Sequence, residues 1–199
     1  LFRSWADGTG IWLVGCDTGH AVWHWDGQTW QSLQPLPDAV QPQAVLLVDG
    51  DLWVFSTTHI WQLAADARAW QQVSVFPQPI ARVHVVLVDG VVYLFGDAAR
   101  VWRIDTHRYT WQQVHALPFH NHDVVVSSVL ASVLLVDIQD ATMWAYTPHD
   151  GVVSAQIVPP TVQLGTQAVL WQAYVVLPNA DGSVLAAYQA VFQTDRKST

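Results

Sequence analysis

The chain has 199 residues, 51% of them apolar and only 12% charged, with a formal net charge of −8. So much apolar residue with so little charge excludes an intrinsically disordered chain, and no apolar run reaches the roughly 18 residues of a membrane-spanning helix, so no membrane insertion is expected. The negative charge argues against nucleic acid as a partner, because that binding is driven by neutralising phosphates.

The residue types narrow the fold class. All 16 acidic residues are Asp, and of eight basic residues only Lys197 is Lys. Glu and Lys favour helices, whereas Asp favours turns. Val contributes 31 residues and Trp 12, both suited to a pleated, half-buried surface. Cys16 is the only cysteine, so no intrachain disulfide forms.

Along the chain the elements predicted are short strands in groups of four. Residues 1–37 carry Trp5, Asp7-Gly8, Trp12, Trp23 and Trp30 before Pro35 and Pro37. Residues 38–79 read as a strand over Ala44–Val48, a turn at Asp49-Gly50, then Leu52–Phe55, Ile60–Leu63 and a fourth strand from Trp70. Residues 80–120 repeat that order, with Val83–Val88, Asp89-Gly90, Val91–Phe95, Val101–Asp105 and Thr110–Val114. Residues 121–162 keep Trp144, and residues 163–199 supply two or three strands and a polar tail. Asp-Gly between apolar runs marks a tight hairpin, since both residues tolerate positive φ. Pro-bearing links close the groups, where Pro cannot join a central ladder.

The groups recur with a period of about 41 residues: Trp23, Trp61, Trp102 and Trp144 fall at steps of 38, 41 and 42. Four-stranded units repeated in tandem predict an all-β protein, a β-propeller of four-stranded antiparallel blades with about five units. The five make a single domain, the last unit lacking a clear fourth strand: either they close a compact ring, the preferred reading, or they form part of a longer propeller. The order of apolar strand, Asp-Gly, aromatic second strand and spaced Trp resembles the kelch repeat, most closely over Val83–Pro118. These units lack the double glycine after strand two; Phe55-Ser56 and Phe95-Gly96 stand there instead.

One Trp per unit at a fixed strand position is what packing by repetition demands, so the Trp series is read as filling the space between sheets. Function is sought in what differs between units, the loops. Between strands two and three lie Asp17–His20, Ser56–His59 and Asp97–Arg100; just before strand one stand Gln43, Arg82, His122 and Gln167. The resemblance implies that these two loop sets share a partner-binding face. The candidate binding residues are Arg82, Arg100, His20, His59, His122 and Asp97, with Trp25, which lies off the Trp series, as a stacking candidate. His120-Asn121-His122-Asp123 sets two His on one side of a strand beside a carboxylate, but a metal needs three or four ligands. No metal and no cofactor are expected.

The expected function is therefore a non-catalytic module or scaffold that engages a protein or peptide, in a larger assembly or alone. Two other classes compete: a carbohydrate-binding propeller using Trp25, and an Asp-based propeller glycosidase. With no Glu in the chain and most Asp assigned to turns, no enzyme is expected.

Overall fold

The computed structural model describes residues 3–6, 10–16, 19–38, 40–64, 69–96, 100–117, 124–129, 132–137, 142–148, 151–157, 169–171, 174–178 and 185–189. Among the described residues there is no helix; strands joined by turns account for the fold. In chain order the strands are β1 (Arg3–Ala6), β2 (Ile11–Cys16), β3 (Ala21–Trp25), β4 (Trp30–Ser32), β5 (Ala44–Val48), β6 (Asp51–Phe55), β7 (His59–Leu63), β8 (Gln71–Val75), β9 (His84–Val88), β10 (Val91–Phe95), β11 (Arg100–Asp105) and β12 (Thr110–Ala116). They continue as β13 (Val124–Val129), β14 (Ser132–Asp137), β15 (Thr142–Thr147), β16 (Gly151–Ile157), β17 (Val169–Trp171), β18 (Tyr174–Pro178) and β19 (Leu185–Gln189).

Each sheet takes its strands in chain order, every neighbour antiparallel: β1–β4, β5–β8, β9–β12, β13–β16 and the three-stranded β17–β19. The chain divides into two compact units, Leu1–His120 with the first three sheets and Asn121–Thr199 with the other two. In the second unit, Val133, Leu135 and Tyr146 are fully buried.

Turn chemistry sets the registers. Asp49 and Gly50 have φ of 52° and 88°, and Asp89 and Gly90 have 50° and 75°. Both residues of each two-residue loop thus lie in the left-handed region, which gives the twist that matches flanking strands. Val48 consequently pairs with Asp51, and Val88 with Val91. The β3–β4 hairpin is held differently: the Asp26 carboxylate accepts from the backbone N–H of Gln28 (2.9 Å) and of Thr29 (2.8 Å). In the second and third sheets the β7–β8 and β11–β12 pairings slip at the same place, after Ile60 and after Val101.

Within the first unit the sheets stack face to face. Trp12, Val14 and Val22 of the first sheet bury against Val45, Leu52, Val54 and Leu63 of the second, with Trp61 and Trp70 packed alongside. The opposite face of the second sheet, with Leu46, Trp53, Phe55 and Ile60, buries against Val92, Leu94 and Ile104 of the third, with Trp102 and Trp111 alongside. Alternation along each strand makes this possible, since both faces of the second sheet are apolar. The recurring Trp residues also bond between sheets. Trp70 Nε1 donates to the Gln34 carbonyl (2.9 Å), and Trp111 Nε1 donates to Ser74 Oγ (3.0 Å). Trp70 and Trp111 therefore both reach back to the end of the preceding sheet's fourth strand. The first strands β1, β5 and β9 of successive sheets lie side by side.

Candidate functional site

A four-stranded meander has two ends. The hairpins joining strands one to two and three to four lie at one; the turn from strand two to three and the links between sheets lie at the other. In the first unit this second end is tied together by backbone hydrogen bonds. Leu36 N–H donates to the His20 carbonyl, Gln43 N–H to Phe55, Phe76 N–H to Thr58 and Ile80 N–H to Thr57, all at 2.7–2.9 Å. Each link is thereby fixed to the sheet that it leaves or enters rather than merely adjacent to it.

The polar side chains of this end sit on that frame. Arg3, at the start of β1, donates from Nε to the Gln43 carbonyl, joining the first sheet to the link that enters the second. His20 is half-buried, and its Nδ1 is buried without a hydrogen-bond partner. His59 Nδ1 lies 2.6 Å from Thr58 Oγ1, and its backbone N–H donates to Ser56 Oγ (3.0 Å), which holds the imidazole at the mouth of the turn. Arg100 Nη1 donates to Gln78 Oε1 (3.1 Å), linking the third sheet's turn to the preceding link. Arg82 is exposed in that same link. The geometry therefore places His20, His59, Arg82 and Arg100 on turns and links of one end. Ile80 spans two sheets there, bonded to Thr57 and 3.0 Å from where a Cβ on Gly96 would stand.

His122 and Asp97 lie outside the described residues, as does the whole His120–Asp123 segment. Among the described residues, no three His, Cys, Asp or Glu side chains gather to hold a metal ion. Trp25 is not at this end: it closes β3 at the opposite hairpin, paired with Trp30. Sequence reasoning missed Arg3 and Gln78. Arg3 was findable, since it begins a first strand as His84 does, but Gln78 carries no motif and is identified only by its contact with Arg100.

Charge differs between the ends. Among the described residues of the first unit, the turn-and-link end carries Arg3, Arg82 and Arg100 with Asp38, while the hairpin end carries Asp26, Asp49, Asp51, Asp89 and Asp105 with Arg103 and Arg108. Among the described residues of the first unit, three Arg thus accompany one Asp at one end, and two Arg accompany five Asp at the other.

Among solved structures the chain is similar to that of YjhT, with a TM-score of 0.76, 11% identity, and coverage of 89% of this chain and 70% of that one. It is also similar to streptogramin B lyase, with a TM-score of 0.61, 11% identity, and coverage of 96% of this chain and 68% of that one. The fold is an all-β propeller. No family model matches the chain, and no curated protein matches it by sequence.

These likenesses correct one expectation. The absence of Glu and the assignment of Asp to turns lead to the expectation of no enzyme. A lyase, however, is built on this propeller architecture, so the blade scaffold accommodates catalysis. The error was physical: a catalytic group need not be a carboxylate, and His on blade-end loops serves equally well for proton transfer.

Proposed function

We propose that this propeller binds a partner polypeptide through the turn-and-link end of its blades, in the manner its kelch-like motif order implies. The observation that supports this most is the repeated bonding of links to turns, which holds His20, His59 and Arg100 in place before any ligand arrives. Preorganisation of this kind lowers the entropy lost on binding. The Arg side chains among the described residues of this end suit a partner segment that carries carboxylates. Guanidinium groups are the natural anchors, being planar, always charged and frequent at binding hot spots.

The test is calorimetric titration of the partner isolated with the native protein. The double change Arg82→Ala and Arg100→Ala is expected to weaken binding at least about tenfold, equivalent to about 1.4 kcal/mol. Unchanged affinity in a folded variant sinks the reading.

The lyase among the neighbours favours turnover at the same end as the second reading. His20 and His59 put imidazoles on its turns, a side-chain type that serves as general acid or base. That reading predicts that His59→Gln abolishes turnover while leaving ligand affinity intact.

A further inference from the structure

His59 opens β7, directly after the short turn that follows β6, and its surroundings decide which ring nitrogen carries the proton. Ser56 Oγ accepts from the backbone N–H of Thr58 (3.3 Å) and of His59 (3.0 Å), and donates to the His59 carbonyl (3.2 Å). Its donor and both its acceptor sites are thus in use. The Thr58 carbonyl in turn accepts from Phe76 N–H (2.8 Å), in the link that leaves the same sheet. The backbone carrying both side chains is fixed from two directions, and Thr58, branched at Cβ, has few rotamers to choose from. Its hydroxyl lies 2.6 Å from His59 Nδ1.

That contact has two proton arrangements, and only one leaves every group satisfied. If Nδ1 carried the proton it would donate to Thr58 Oγ1, and the hydroxyl proton would then need a further acceptor. Among the described residues Thr58 Oγ1 has no bond other than the one to His59. If instead the hydroxyl donates to Nδ1, a single bond serves both groups. A neutral imidazole has one N–H and one bare nitrogen, so a proton received at Nδ1 puts the ring's own proton on Nε2.

We infer that Thr58 is a positioning residue: it holds neutral His59 with its proton on Nε2, so that this end presents His59 as a hydrogen-bond donor to a carboxylate of the partner. This rests on the binding reading proposed above and adds the partner's chemistry to it. Arg100 is a donor of the same kind, held by a neutral group. Its Nη1 donates to Oε1 of Gln78 (3.1 Å), which stands between Pro77 and Pro79. The flanking Phe76 and Ile80 are bonded to the carbonyls of Thr58 and Thr57, so one link serves both donors. A guanidinium held by an amide rather than a carboxylate keeps its charge for an anion. The assignment also separates the two readings of this end, since a nitrogen that already carries a proton is a donor or an acid, not a base.

The experiment is a long-range proton–nitrogen NMR correlation on the full chain, isotope-labelled in its histidines, above about pH 8, where an ordinary imidazole is neutral. The His59 signals are those lost in His59→Gln. The expected result is a proton on Nε2 and none on Nδ1. Thr58→Val, which keeps the shape without the hydroxyl, should let the other tautomer appear, and Thr58→Ser should restore the first. A proton on Nδ1 of the unaltered chain overturns the inference, as does an unchanged tautomer in folded Thr58→Val. If that variant does not fold, the spectrum of the unaltered chain decides alone. For the partner's chemistry the probe is a tetraglutamate peptide, with tetraglutamine as control. Tetraglutamate is expected to bind at least about tenfold tighter, and His59→Phe to remove most of that difference. His59→Gln, whose amide N–H stands in for Nε2–H, should restore it. Equal affinity for the two peptides overturns the carboxylate assignment. The spectrum needs no partner, so failure of the binding reading, seen as unchanged affinity in the Arg82→Ala and Arg100→Ala variant, is a separate result.

Discussion

Asp26 shows how a single carboxylate shapes a hairpin. Its oxygens accept from the backbone N–H of Thr29 and Gln28, and from the Thr29 hydroxyl and Gln31 amide as well. Those bonds, the Thr29 N–H first, favour the ionised form and hold its pKa near 2 against an ordinary 3.8. A depressed carboxylate pKa stabilises the fold in full above the ordinary value, and the contribution is lost as pH falls through the folded one. Carboxyl-carbon NMR titration is therefore expected to place Asp26 near 2. Asp26→Ala should lower the denaturation midpoint at neutral pH, and its difference from wild type should shrink towards pH 2. Asp105 is held down by the N–H groups of Arg108 and His107 in the equivalent hairpin of blade three. The two positions were legible as turn residues, since Asp favours its own backbone. Nothing in the sequence showed that Gly10 must be small. A Cβ there would meet the Trp25 carbonyl and stand 2.6 Å from His24 Nε2, a contact made by the fold and invisible in any local motif.

At the scale of strands, the Asp-Gly turns, the antiparallel order and the Trp of the third and fourth strands were all readable, because hairpin chemistry and repetition act locally. The partner of each Trp was not. Trp70 finds a backbone carbonyl and Trp111 a serine hydroxyl, groups of different chemistry at equivalent points. Ser74 Oγ in turn donates to the Tyr109 carbonyl (2.9 Å), and the Tyr109 hydroxyl donates to Gln62 (3.0 Å), so blades two and three are joined by a short polar chain. Trp111→Phe keeps the ring edge-on to Phe76 but removes the donor. It is expected to cost about 1 kcal/mol in urea unfolding, whereas Phe55→Ala, which empties a fully buried position, should cost about 3–5 kcal/mol. Equal losses for the two would contradict the assignment. Trp25 looked out of register in sequence. The structure gives it a regular place, the one held by Leu63 and Ile104 in the following blades.

For the molecule as a whole, burial predicts the order in which it opens. Val54, Phe55, Val92 and Phe95 have no exposed surface, so β6 and β10 are the centres of their blades, while every residue of β4 is exposed. Hydrogen exchange under native conditions should find the slowest amides of the first unit in β6 and β10, and the fastest strand amides in β4. Fast exchange in β10 would show that burial does not set local stability here. The architecture was legible at this scale because 41-residue repetition leaves few other folds open. Catalysis was not, since a scaffold shared by a lyase and other propellers says nothing about which loops carry chemistry. The candidate end shows the same limit: His20 and His59 could be picked out by position, but the hydrogen bonds that fix them join residues up to 23 apart in the chain (Thr57 to Ile80).

The indole that reaches back from one blade to the last asks only for an acceptor, and a carbonyl or a hydroxyl serves. Such a joint tolerates a stranger on its far side. Exchanging repeats among the first three blades would therefore leave these two indole joints chemically intact, so those seams need no matched partner on the far side.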